Sequence, residues 1–351
     1  MIMGEDPLAP FDAVLLLSFG GPEAPDEVMP FLEYVTRGRG IPRERLESVA
    51  THYHDFGGVS PINAQNRELL SALEPQLRAA GSALPVYWGN RNSRPWLREV
   101  ALQMRDDGIR RPLVLVTSAY SSYSGCRQYR EDLAEAFAGL GMAVGKVAQF
   151  FDAEGFLQAN AEALSVKLAD AATDARLLFV THSVPVTADA ARYVAQHEAV
   201  AMAILHELGM EGRPWSLVYC SRSGAPGQPW LEPDINDALR ALAVQGVSEV
   251  VVAPIGFVSD HMEVRFDLDT EAAATAAGLG IRVHRAATPG VHPAFVDGLV
   301  QLLLERAALE RGEHDVQARR QLGIEAARFK CAPGCCANPR SQRPALCGTD
   351  A

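Results

Sequence analysis

Four groupings of residues have the types and spacing to do chemistry. His182 follows the apolar run 177–181 and precedes Ser183 and Pro185, which sets an imidazole at a strand tip. Neutral imidazole accepts a proton near pH 7 and ligates divalent transition metals; the plainer alternative is a histidine that satisfies its own loop. Asp260, Glu263 and Asp267 follow the strand-like run 249–254. If a helix begins near 260, their i, i+3, i+7 spacing puts three carboxylates on one face. Acidic residues are ordinary at a helix start, yet three on one face repel unless a cation or raised pKa values relieve them. Arg37 and Arg39 lie in a Gly-punctuated stretch read as a flexible segment. It is either a solvated charge run or a carboxylate-binding loop, since guanidinium forks pair well with carboxylates.

The fourth grouping is of cysteines. The chain has six, and Cys331, Cys335, Cys336 and Cys347 all follow residue 330. In a reducing compartment such clustering points to metal ligation before disulfides. Cys220 sits inside an apolar run and reads as a small core residue. Gly20-Gly21-Pro22 and Gly57-Gly58 are turns that let a backbone approach a flat ligand. Neither has the spacing of a nucleotide-binding loop.

These groups need a scaffold that carries them to one place. Short apolar runs at 13–18, 85–88, 113–117, 148–151, 177–181, 216–220, 249–254 and 281–285 predict strands. Segments of helical period at 26–35, 63–79, 96–106, 130–140, 154–170, 188–207, 235–243, 264–277 and 293–310 predict helices between them. That alternation predicts an α/β protein of two similar, doubly wound, Rossmann-like lobes with parallel sheets and a cleft between them. Such sheets bind ligands beyond the carboxyl ends of their strands, where 118–126, 182 and 260–267 fall. A length of 351 residues exceeds what one core supports. The expected division is an N-terminal lobe 11–150, a C-terminal lobe 151–312 and an extension 313–351.

The formal charge of −11, from 32 Lys and Arg against 43 Asp and Glu, argues against a nucleic-acid partner. Only a local basic pocket could hold an acidic ligand. No apolar run reaches the ~20 residues of a transmembrane helix. The first ten residues, with Glu5 and Asp6, do not read as a secretory signal, so a cytoplasmic location is expected.

The segments LLLSFGGP near the start, FGGVSPIN at 56–63, VTHSVP at 180–185, PWLEPD at 229–234 and PIGFVSDHMEVRFDLD at 254–269 occur in this order. Together they resemble the ferrochelatase family over roughly residues 11–310, and most closely its actinobacterial branch. The resemblance implies a chelatase-type fold, Fe2+ as substrate, insertion into a porphyrin in the cleft, and a place in haem biosynthesis. His182 matches the family's active-site histidine and Glu263 its facing carboxylate. Asp260 and Asp267 would serve as a metal or proton path. Ser60 and Tyr53 match positions near the propionate end of the porphyrin; Tyr129 matches a third, with Tyr123 as its rival. Arg37 and Arg39 fall in the loop expected to meet propionates. Phe19 stands where some relatives carry a tyrosine beneath the metal, and a phenyl ring cannot ligate iron.

Members of this branch resemble coproporphyrin ferrochelatases and often carry a C-terminal [2Fe-2S] cluster. By that resemblance Cys126 is the internal ligand, joined by Cys331, Cys335 and Cys336, with Cys347 as alternate. Structural zinc is the other use of four thiolates. The implied reaction gives Fe-coproporphyrin III from coproporphyrin III. Protoporphyrin IX as substrate, or porphyrin binding without turnover, are the alternatives. Iron-delivery or downstream haem-pathway proteins are implied as transient partners.

Overall fold

Two four-stranded parallel sheets, each covered by helices, form the protein in a computed structural model that describes residues 5–187, 189–223, 227–313, 318–326, 329, 331 and 335–346. The first sheet contains β1 (Ala13–Ser18), β2 (Val86–Asn90), β3 (Pro112–Val116) and β4 (Gly145–Lys146) in the order β2-β1-β3-β4. The second contains β5 (Arg176–His182), β6 (Trp215–Cys220), β7 (Glu249–Ala253) and β8 (Arg282–Arg285) in the order β6-β5-β7-β8. Val14 pairs with Val86 and Leu16 with Leu115, while Phe179 pairs with both Leu217 and Ala253. β1 and β3 are buried along their whole length, so they read as continuous apolar runs, as central parallel strands must. In each sheet the first strand in sequence lies between the second and third, so the winding reverses there and opens a crevice at its carboxyl end. β1 runs out into Phe19-Gly20-Gly21, and β5 ends on His182.

The helices are α1 (Val28–Val35), α2 (Arg43–Asp55), α3 (Ile62–Ala79), α4 (Leu97–Asp106), α5 (Gln128–Phe137), α6 (Glu154–Asp170), α7 (Ala190–Glu207), α8 (Ile235–Val244), α9 (Ala273–Gly278) and α10 (Pro293–Glu310). Two π-helical segments, Tyr123–Arg127 and Val264–Ala272, run directly into α5 and α9. No helix among the described residues is long and apolar enough to cross a membrane.

One expectation changes, and one helix was not foreseen. The run 148–151 is not a strand: the sheet edge is Gly145–Lys146, and Phe150 and Phe151 are buried instead in a side-chain core. Phe150 meets Phe156 of α6 and Phe295 of α10 at about 6 Å between ring centres. Ala148, Phe150 and Phe151, with the polar Gln149 among them, are too short a pattern to separate a strand from a buried connection, and here the helices claim it. The stretch 36–42 holds neither helix nor strand, but α2, which no expectation covered, starts directly after it at Arg43. Its inward residues are only Leu46 and Ala50, too faint a stripe to read as periodic.

One buried cluster joins the two sheets and includes Leu16, Leu73, Phe150, Phe179, Phe295 and Leu302. α10 packs against both α6 and α3, so the last helix braces both sheets. Its crossing with α6 is closed by Gly155 and Gly298. A Cβ on Gly155 would lie 2.0 Å from the Ala294 carbonyl oxygen, leaving no room for alanine.

Candidate active site

His182 takes its position from the end of β5 and from the buried layer behind it. Its Nδ1 contacts the Ser183 carbonyl, which fixes the proton on Nδ1 and turns Nε2 outward. The Tyr193 hydroxyl donates to the His182 carbonyl at 3.0 Å and meets Thr181 Oγ1 at 2.7 Å. Thr181 Oγ1 also lies 2.8 Å from Nε2 of His197, whose Nδ1 donates to the Tyr193 carbonyl. Burial lowers the His197 pKa to about 3, so this supporting ring is neutral.

Opposite stands Glu263, with Oε1 3.6 Å from Nε2 of His182. Burial works against charge on both groups, but each is held ionised by the other. The His182 pKa, drawn down by burial, is raised on balance to about 9 by the Glu263 carboxylate and the Ser183 carbonyl. The Glu263 pKa, pushed up by burial, is lowered on balance to about 2 by His182 and His261. Glu263 is still 47% exposed, so the pair faces open space.

The three-acid stripe is built differently from the expected one. Helix begins at Met262 and becomes π-helical from Val264. Asp260 therefore stays outside it, paired with Arg285 at 3.0 and 3.1 Å and accepting from Thr288 at 3.0 Å. Hydrogen bonds from i to i+5 widen the turn beyond 3.6 residues, so positions four apart stack along one face. The row is Glu263, Asp267 and Glu271. Burial, with the charges of Glu263 and Glu271 acting against the Ser221 hydroxyl that donates to it, raises the Asp267 pKa to about 7. Glu271, exposed at the far end, accepts from Asn236 at 3.4 Å. Glu271, one turn beyond Asp267, falls on the same face at a 3.6-residue period as well, so following the acidic stripe one turn further was the signal that could have found it.

The facing wall belongs to the first sheet. Gly20 has φ of +80°, and a Cβ on it would lie 2.4 Å from Ser93 Oγ, so the turn after β1 requires glycine. Ser93 Oγ accepts from the Gly21 N–H at 3.0 Å, and Asn63 donates to the Gly21 carbonyl at 3.1 Å. Ser60 is buried against Gly21. Phe19 is 36% exposed, edge-on to Phe31, and Phe31 packs against Tyr53. Burial raises the Tyr53 pKa, and the charges of Glu263 and Asp267 add to it, which places the phenol near the acid row. His52 stacks on Phe266 at 3.7 Å, and Gln65 donates to the Asp260 carbonyl at 3.1 Å, so α2 meets the π-helix and α3 the turn that leads into it.

Beside Phe19 opens a basin of about 320 Å³ lined by Arg37, Arg39, Arg91, Tyr123, Arg340 and Arg343. Both expected arginines are therefore present. Of the two rival tyrosines, Tyr123 lines the basin, while Tyr129 is 4% exposed beneath the Arg91 guanidinium. Arg91 and the tail arginines were not anticipated.

Cys126, Cys331, Cys335 and Cys336 converge at the π-helical turn Tyr123–Arg127. Contact with Cys331 lowers the Cys126 pKa well below the usual thiol range, and the charges of Lys146 and Arg130 add to this against burial. Cys331 also contacts Cys335, whose sulfur lies 3.9 Å from that of Cys336. Arg192 donates to Cys335 Sγ at 3.2 Å. Among the described residues, no three His, Cys, Asp or Glu side chains stand as a closed metal site. Cys347 lies outside the described residues, and Cys220 is buried in β6.

A two-lobed α/β fold with paired acid and base at the cleft is of the chelatase type. SirB from Bacillus subtilis, solved with Fe3+, has this fold, with a TM-score of 0.53 and 11% identity over 87% of this chain and 99% of its own. The family model described as Ferrochelatase matches residues 11–307. The coproporphyrin III ferrochelatases of Streptomyces griseus and Streptomyces coelicolor are 52% and 50% identical to this chain, each over 97% of both chains. The chain belongs to the ferrochelatase family, enzymes that place iron into porphyrins.

Proposed function

We propose that this enzyme inserts Fe2+ into coproporphyrin III to give Fe-coproporphyrin III. The observation that carries the reading is the His182–Glu263 pair, set at the inner end of a carboxylate row, with Tyr53, Phe31 and Phe19 leading from Glu263 to an arginine-lined basin. Insertion must remove two pyrrole protons and deliver a divalent cation to the same ring. The row Glu271, Asp267, Glu263 runs from surface to cleft, and a half-ionised Asp267 suits passage of either Fe2+ or a proton. Arrival of Fe2+ at Glu263 neutralises the charge that holds the proton on His182. Burial then lowers the His182 pKa, the proton leaves along the acids, and Nε2 is free to accept the two pyrrole protons in turn, passing the first along the acids before it takes the second. Asp260, committed to Arg285, anchors the start of the helix.

The choice of porphyrin follows the relatives' names and the basin's five guanidiniums, which suit a ring with four carboxylates. Steady-state Fe2+ insertion into coproporphyrin III and protoporphyrin IX, measured side by side under anaerobic conditions, tests it. The expected result is kcat/KM roughly tenfold or more in favour of coproporphyrin III, a difference of about 1.4 kcal/mol. Equal or reversed preference would overturn the assignment.

The converging thiols fit a four-thiolate [2Fe-2S] centre, with Cys126, Cys331, Cys335 and Cys336 as its holders. When bound, such a centre supplies a staple between the tail and the turn that carries Cys126. Anaerobically purified protein is expected to show visible iron–sulfur absorption and labile sulfide, and a Cys126→Ser protein to lack both. A colourless protein containing zinc and no sulfide would reject the cluster.

A further inference from the structure

The arginine-lined basin has a wall that the reaction does not explain. Although the chain carries a net −11, no carboxylate side chain lines this space. Arg91 and Arg343 are compensated by Asp132, with Arg343 also 3.4 Å from Glu131. Arg37, Arg39 and Arg340 have no carboxylate within ion-pair distance among the described residues. Burial lowers the Arg39 pKa, and the charges of Arg340 and Arg91 add to the effect. Guanidiniums gathered without an anion repel one another, and the arrangement is relieved when a carboxylate enters.

The tail residues in this wall are held in place by a buried anchor. Asn338 Oδ1 accepts from the backbone N–H groups of Arg340 at 2.9 Å and Ser341 at 3.2 Å, which forms a turn. The Asn338 amide donates to Glu131 at 3.1 Å. The Glu131 side chain is 0% exposed and also receives Arg127 at 3.2 Å. Arg127 in turn donates to the Arg343 carbonyl at 3.0 Å, and Arg130 to that of Leu346 at 2.6 Å. Arg340, itself exposed, reaches 5.9 Å from the Tyr123 ring centre.

We propose that the C-terminal segment 338–343 completes the carboxylate-binding end of the porphyrin site, with Arg340 as a substrate-binding residue for one rim carboxylate. This rests on the reading of the cleft as a porphyrin site and adds the tail to it. The same turn, Tyr123–Arg127, carries Cys126 and docks the tail.

The test is fluorescence titration of the full chain with two metal-free ligands, coproporphyrin III and its tetramethyl ester in detergent. Arg340→Ala is expected to weaken binding of the tetra-acid roughly tenfold, or about 1.4 kcal/mol, because a charged hydrogen bond is lost. Arg340→Lys should recover part of the loss, ester binding should match the unaltered protein, and the catalytic defect should fall on KM rather than kcat. An Arg340→Ala protein that binds the tetra-acid as the unaltered chain does, or that loses acid and ester equally, overturns this role alone. An unaltered chain that binds neither porphyrin overturns the porphyrin reading itself.

Discussion

Replacing His182 by alanine is expected to lower the rate of Fe2+ insertion by about 10²–10⁴-fold, the usual worth of a positioned general base, while metal-free porphyrin still binds. The imidazole has one job that no neighbour can take over. Its Nδ1 is committed to the Ser183 carbonyl, and its backbone is held by Tyr193, so Nε2 is presented to the cleft at a fixed point. His261 does not substitute for it, since its Nδ1 accepts the Glu263 backbone N–H at 3.2 Å. Loss of the ring leaves the arginine basin untouched, because His182 does not line it. The measurement is anaerobic insertion followed by porphyrin absorbance, alongside a binding titration by fluorescence quenching. Insertion within tenfold of the unaltered rate would remove His182 from the chemistry and favour a porphyrin carrier.

What was legible in the sequence depended on whether position alone carried the meaning. His182 and Glu263 could be read because each follows an apolar run that ends at a strand tip, and tips of doubly wound sheets converge. The grouping of Asp260 with them failed for a local reason. Hydropathy does not show where a helix starts, so Asp260 was counted into a helix that begins only at Met262, and Glu271, one turn beyond Asp267 on the same face, was not sought. α2 escaped because Leu46 and Ala50 are its only buried residues, and its stability comes from docking against α1. Arg340 was invisible for a different reason: only the docking of the tail on Glu131 brings it into the basin that Arg91, at the tip of β2, already lines.

The second large effect concerns the proton that His182 and Glu263 share. In the unaltered, metal-free protein the imidazole is expected to titrate near 9 by NMR, because the Glu263 carboxylate outweighs the cost of burying a cation. In Glu263→Gln that support is gone and burial dominates, as it does for His197. The His182 pKa should then fall below its ordinary ~6.5, a drop of more than two units on the values above. The sign for stability follows from the same pair. A raised imidazole pKa contributes stability that is complete below about 6.5 and lost as pH rises through about 9, while the lowered Glu263 pKa contributes stability above about 4.5 that is lost as pH falls through about 2. The unaltered protein should therefore hold its largest Tm advantage over Glu263→Gln between about pH 4.5 and 6.5 and lose it progressively toward pH 9. Insertion by Glu263→Gln should remain poor even at a pH where its imidazole is neutral, since the inner end of the acid row no longer receives Fe2+. An imidazole that titrates at the same pH in both proteins would show that the two side chains do not share a proton, and the coupling between metal arrival and proton release would fail with it.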